Sequence, residues 1–158
     1  IIGKKTASLI AACCASGASA AGQPLEAVQR MHKFGEHTGM AFQIKDDLFD
    51  YGNGEDIGKP TGLDIKEKKL TLPLIYSLDK VSKSDRRWMI DVVKNKNEDD
   101  RSVKRLVEMV SEAGGIAHAH ARMLEYRDKA IGTLHTFPKN EYRDALEGLV
   151  QLTVERTK

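Results

Sequence analysis

The stretch Phe42-Gln43-Ile44-Lys45-Asp46-Asp47-Leu48-Phe49-Asp50-Tyr51 decides how the rest of the chain is read. As a helix turning about 100° per residue, it places Gln43, Asp46, Asp47 and Asp50 within an arc of roughly 100°. Ala41, Ile44 and Leu48 fall on the opposite face, with Phe42 and Phe49 on one flank. Apolar on its back and flank, this helix has little surface left for water, so its acids point into a cavity. Three carboxylates so close raise one another's pKa values and cannot all stay ionised there without cations. Metal ions or basic side chains must share the cavity.

Upstream, Leu25, Val28, Met31 and Phe34 continue the same helix back to Pro24, which suits its first turn. The element spans roughly thirty residues and about 40 Å. His32 lies about three turns before Gln43 on the same face, where it either lines the upper cavity or packs in the core. Gly22 closes an earlier helix running from residue 1 to about residue 20, whose small face of Ala7, Ala11, Ala15 and Ala18 lets another helix approach closely. Its uncharged run from Thr6 to Leu25 has the length of a membrane span, but it is rich in Ala, Ser and Gly and reads as a buried helix instead. Cys13 and Cys14, about 100° apart on that helix, are expected to be reduced, buried thiols of a cytoplasmic protein.

Downstream, Tyr51-Gly52-Asn53-Gly54 breaks the helix, and a polar, Gly-rich loop continues through Gly58-Lys59-Pro60-Thr61-Gly62 to Lys69. A loop of this length beside an acidic cluster points to function. Further helices are expected over 71–81, with Pro73 near its start, and over 85–95 with Trp88. Another is capped by Ser102, carries Val103, Leu106, Val107 and Val110 and ends at Gly114-Gly115, and two more cover 116–134 and 142–154. No alternating strand pattern occurs, so the expectation is one all-α domain of roughly seven helices. The 25 Lys and Arg against 23 Asp and Glu are interspersed, which argues against a general nucleic-acid or membrane-surface binder. The start at Ile1-Ile2, without Met, reads as a processed chain or a fragment.

The chemistry that suits Asp46, Asp47 and Asp50 is Mg²⁺ coordination, since hard oxygen donors supply one or two carboxylates per ion and leave the remaining positions to water and phosphate. The alternative is a solvated acidic patch, disfavoured by the apolar flank. Lys5 heads the small-residue helix, and Lys59 and Lys69 lie in the loop that leaves the acids. Folded back over a metal-bound polyanion, such ammonium groups would stabilise charge developing on a departing diphosphate. His118 and His120 are two apart and face different directions, so a structural or solvent-facing role is expected of them.

The segment 39–51, with Gly58-Lys59-Pro60, Lys69-Leu70-Thr71-Leu72-Pro73 and the preceding Lys5-Thr6, resembles the trans-type polyprenyl diphosphate synthases. The resemblance implies an isoprenoid-synthase helical bundle that condenses isopentenyl diphosphate with an allylic diphosphate, as a homodimer in the full-length enzyme. It implies Mg²⁺ held by Asp46 and Asp47 with Asp50 in support, and Lys5, Lys59 and Lys69 on the allylic diphosphate. Thr6 and Gln43 would line the pocket near the reacting group, so Lys5, Thr6, Gln43 and Lys59 are the expected catalytic residues. The family's first aspartate-rich motif and its isopentenyl-diphosphate-binding basic residues are absent, and Asp99-Asp100 is no substitute because Val103 stands at the third acidic position. Residues 1–158 thus resemble the C-terminal half of a synthase, an incomplete bundle expected to be inactive alone. A competing expectation is a non-catalytic helical subunit that stabilises a partner synthase through exposed apolar faces. A terpene cyclase fits less well, because the segment 69–73 looks like that of the elongating enzymes.

Overall fold

The computed structural model describes residues 6–52 and 62–156. Those residues form eight helices and no strand: α1 (Thr6–Ala20), α2 (Leu25–Phe49), α3 (Leu63–Lys66), α4 (Leu72–Leu78), α5 (Lys83–Asn95), α6 (Asp100–Glu112), α7 (Gly115–Leu134) and α8 (Glu141–Glu155). The all-α expectation holds. The extra helix is α3, which lies inside the stretch expected to be loop; four residues are too few to show a helical period. The chain divides into two compact units, one of residues up to Lys45 with Arg122–Arg156 and one of Asp46–Ala121.

In the first unit, α1 closes in a Schellman motif at Gly22, whose φ of 69° is left-handed. There the Gln23 N–H donates to Ala18 O and the Gly22 N–H to Ser19 O. Ala7 and Ala11 are fully buried, and α2 meets them with glycines. A Cβ added at Gly39 would lie 2.6 Å from Ala7 Cα, and one at Gly35 2.7 Å from the Ile10 carbonyl oxygen. The expected close approach on a small-residue face is therefore realised. The rest of α1 is not buried as expected: Leu9 is 65% exposed, Cys13 is exposed, and Cys14 is half-buried, both thiols being free. Small size lets a helix be approached on one face; it does not cover the others. Phe34, Ala130, Leu134 and Val150 form the core of this unit, flanked by Met31, Ile131 and Leu146. His32 is exposed and so does not pack in the core.

His37 does pack, its ring 6.2 Å from that of Tyr126 and its Nδ1 buried with no hydrogen-bond partner. Burial lowers its pKa from the ordinary 6.5; Glu36 and a backbone hydrogen bond to Lys129 oppose the shift, and the Lys129 and Lys33 charges add to it. The fold thus favours the neutral ring. Stability from this group is complete above its unfolded value and is lost as pH falls through that value toward the lower folded one. His37→Leu should therefore flatten the decline in melting temperature between about pH 7.5 and about pH 5.5. An identical decline in the variant, read by thermal melts, would show that the ring plays no such part.

In the second unit, Tyr51, Ile65, Leu74, Met89, Val92, Val103, Leu106 and Val110 are the buried centre. Helices α5 and α6 present it with apolar stripes and start at side-chain caps: Ser82 accepts from the Asp85 N–H and Asp99 from the Ser102 N–H. Ser102 was the expected cap of α6. It sits three residues inside instead, where its amide and its hydroxyl both reach the Asp99 carboxylate. His118 stacks on Tyr76 at 4.0 Å between ring centroids, the structural role expected of it, and His120 is exposed. Among the described residues, no helix is long and apolar enough to cross a membrane.

Candidate functional site

Three elements of the second unit carry the candidate chemistry: the last turn of α2, α3 and the segment leading into α4. The turn is tightened. Asp50 N–H donates to Asp47 O, Tyr51 N–H to Leu48 O and Gly52 N–H to Phe49 O, each three residues back, which brings side chains three apart into line. Asp47 is buried, 6% exposed, whereas Leu48 is only half-buried. The helical wheel set Leu48 on the buried back and Asp47 among the acids; in the structure Asp47 is the more buried of the two. Asp46 stays half-buried.

Asp50 reaches across to α3. Its Oδ1 accepts the Leu63 N–H at 2.7 Å and its Oδ2 the Asp64 N–H at 3.0 Å, and its carbonyl accepts the Gly62 N–H at 2.9 Å. The carboxylate thus satisfies the first amides of α3. Gly62 makes this turn possible. Its φ is 82°, and an added Cβ would fall 2.4 Å from Val103 Cγ1. Burial, with Asp64 adding to it, raises the Asp50 pKa despite those two amides.

Past α3 the chain turns again at Lys68, whose φ of 58° is left-handed for a residue with a side chain. Lys69 follows, and its ammonium donates to Asp64 Oδ1 at 3.1 Å and pairs with Glu67 Oε2 at 2.6 Å. These two acids, Glu67 first, raise its pKa. Two residues on, Thr71 Oγ1 lies 2.6 Å from Tyr51 Oη in a buried hydrogen bond. Burial raises the Tyr51 phenol, and Asp50, Asp64 and Asp47 add to it.

In the first unit, Thr6 Oγ1 donates to Gln43 Oε1 at 2.9 Å, so two residues singled out from widely separated stretches are brought together. Lys5, Lys59 and the segment Gly58-Lys59-Pro60 lie outside the described residues. Sequence reading passed over Arg156, whose guanidinium sits 4.2 Å over the Phe42 ring. It lowers the Lys45 pKa, secondary to burial.

Among the described residues, no group of three or more His, Cys, Asp or Glu side chains is arranged to hold a metal ion by itself. Mg²⁺ is ordinarily held by one or two carboxylates and keeps water and phosphate oxygens. The donors present are all hard oxygens, with Asp50 partly committed to α3.

The sequence profile of the polyprenyl synthetase family matches residues 1–110. The heptaprenyl diphosphate synthase component 2 of Geobacillus stearothermophilus is 38% identical over 150 residues, 94% of this chain and 45% of that protein. A crystal structure of a decaprenyl diphosphate synthase from Rhodobacter capsulatus superposes with a TM-score of 0.90 at 31% identity, covering 99% of this chain and 49% of that one. A polyprenyl synthase from Caulobacter crescentus, complexed with calcium and isoprenyl diphosphate, matches with a TM-score of 0.87 at 32% identity, over 99% of this chain and 48% of that one. The chain spans between 33% and 48% of the length of the curated relatives it matches, within their C-terminal half. Motif order, helical architecture and these matches agree: the chain belongs to the polyprenyl synthetase family.

Proposed function

We propose that the chain supplies one wall of a prenyltransferase that condenses isopentenyl diphosphate with an allylic diphosphate. The observation that carries this reading is the Asp46-Asp47-x-x-Asp50 turn fastened through Asp50 to the segment that bears Lys69. Asp46 and Asp47, with Asp50 in support, would hold Mg²⁺, which would supply positive charge to the diphosphate leaving group. Lys5, Lys59 and Lys69 would neutralise the diphosphate as the carbon–oxygen bond breaks. For Lys69 this means exchanging at least one of Asp64 and Glu67 for a phosphate oxygen. Thr6 and Gln43 would line the pocket near the allylic carbon, attacked by the isopentenyl double bond before a proton is lost.

The sequence holds a single Asp-Asp-x-x-Asp. Asp99 caps α6, and Asp100 pairs with Lys66 at 2.7 Å, so neither is available as a second wall. This chain by itself should bind an allylic diphosphate and turn nothing over. The test is calorimetric titration with a thio analogue of an allylic diphosphate, in Mg²⁺ and in EDTA. Binding in Mg²⁺ alone is expected; equal heats in both, or none in either, would remove the reading.

A second reading, a non-catalytic helical subunit that stabilises a partner synthase, is favoured by one observation. Leu9, Tyr142, Leu149 and Leu152 are each more than half exposed, between 59% and 73%, and apolar surface of this kind calls for a covering partner. Both readings place further helices against this chain. Only the first requires Mg²⁺-dependent binding by its own aspartates.

A further inference from the structure

The segment 62–71 is attached to the end of α2 at two points. The first is Asp50, which takes the amides of Gly62, Leu63 and Asp64. The second is Tyr51, through the hydrogen bond to Thr71. Lys69 lies between them, five residues past Asp64 and two before Thr71.

Thr71 is the N-cap of α4, yet its side chain makes no capping hydrogen bond. Ser82, Asp99 and Asn140, the N-caps of α5, α6 and α8, all accept an amide of the helix they open. A threonine in this position ordinarily does the same. Its hydroxyl is directed instead to a phenol twenty residues back in sequence. Both partners are buried, Tyr51 3% and Thr71 4% exposed, so water has no access to take over the bond if one hydroxyl is removed.

Between the two attachments the backbone holds Lys68 in the left-handed region. The turn is closed by the Lys68 N–H on Ile65 O at 2.9 Å and the Lys69 N–H on Asp64 O at 2.8 Å. These are the two hydrogen bonds of a Schellman cap, with Lys68 at the left-handed position that closes α3. The near end of the stretch is fixed by α3 and the far end by Thr71. The Lys69 side chain is 57% exposed and, among the described residues, its ion pairs are with Asp64 and Glu67 of the same segment.

We propose that the Tyr51–Thr71 hydrogen bond holds Lys69 where it meets the diphosphate, which makes Tyr51 and Thr71 positioning residues of this site. The inference rests on the function proposed above. The link joins the turn that carries the aspartates to the stretch of backbone that carries Lys69, on the far side of Lys69 from the Asp50 attachment.

The test is Mg²⁺-dependent binding of the thio analogue by the wild-type chain and by Tyr51→Phe, Thr71→Val, Thr71→Ser and the Phe/Val double variant. Alongside it, hydrogen exchange is followed at the amides of residues 68–70. Tyr51→Phe and Thr71→Val each should weaken binding about threefold to fivefold, no more than removing the Lys69 charge itself, the double variant no further than either, and Thr71→Ser should bind like wild type. Exchange at residues 68–70 should quicken in the two single variants while exchange in α5 and α6 stays as it was, a local response that general loss of stability would not give. Wild-type affinity in Tyr51→Phe, additive losses in the double variant, or exchange that rises everywhere would each overturn the inference and leave the function standing. Absence of Mg²⁺-dependent binding in the wild-type chain would remove the function and this inference with it.

Discussion

Asp47→Asn lowers the affinity of the chain for a magnesium-bound allylic diphosphate analogue by about a hundredfold. The change keeps the size of the side chain and, on the proposed metal role, would replace a charged carboxylate by a neutral amide whose one oxygen is a weaker donor. Asp47 is the buried member of the acidic turn, 6% exposed, so no bulk water stands ready to replace its oxygen. Lys69 offers the contrast. Its side chain is 57% exposed, where salt screening and solvent weaken any charge pair, so Lys69→Met should cost only about fivefold to tenfold. Calorimetry in Mg²⁺ measures both, and thermal melts in EDTA check that each variant is folded. The melts carry a second readout. At a ligand concentration of about 100 times the dissociation constant, the wild-type chain should gain about 2.7 kcal/mol, and the Asp47 variant almost none. An Asp47→Asn chain that binds like wild type would take the metal role away from this residue.

What could be read from sequence follows a physical divide. The long helix α2 was legible because apolar residues recur along it at helical spacing; the resemblance assigned Thr6 and Gln43 to one pocket, and their hydrogen bond to each other had no sequence signal. Short-range choices were less so. Asp99 and Ser102 are both good caps three residues apart, and only the backbone geometry decides that Asp99 opens α6 and Ser102 donates to it. Helix α3 is held by a single fully buried side chain, Ile65, too little to leave a pattern. Whether Asp47 or Leu48 faces inward depends on what surrounds the turn, which helical periodicity does not contain. The same holds for α1, where the absence of charge suggested burial and the structure leaves Leu9 and Cys13 exposed. The Tyr51–Thr71 and Asp50–α3 bonds had no sequence signal beyond the residues themselves, because they join chain segments whose separation only the fold removes. Lys5 and Lys59 lie outside the described residues, so their roles rest on the motifs.

The Ala–Gly crossing of α1 and α2 yields the largest expected effect on stability. Helix propensity alone favours replacing any helical glycine by alanine, by about 1 kcal/mol. At Gly17, where nothing lies within 4 Å of an added Cβ, that gain should appear almost undiminished. At Gly39 the same methyl would stand 2.6 Å from Ala7 Cα and 3.1 Å from Ala7 Cβ. Backbone cannot rotate away as a side-chain tip does, so the helices must separate, and Ala7 and Ala11 lose contacts that leave them 0% exposed. Overpacking of this kind costs about 1–3 kcal/mol for a methyl-sized intrusion and more for a larger one. Gly39→Ala should therefore be net destabilising by about 1–2 kcal/mol, and Gly39→Leu by about 3 kcal/mol or more, a fall in melting temperature of about 10 °C. Gly17→Ala should move the other way. Opposite signs for one substitution on two adjacent helices separate contact from propensity, because propensity is the same at both positions. A Gly39→Ala chain that melts at or above the wild-type temperature would mean that α1 and α2 do not cross so closely, and the Thr6–Gln43 hydrogen bond, one residue before Ala7, would lose its structural support.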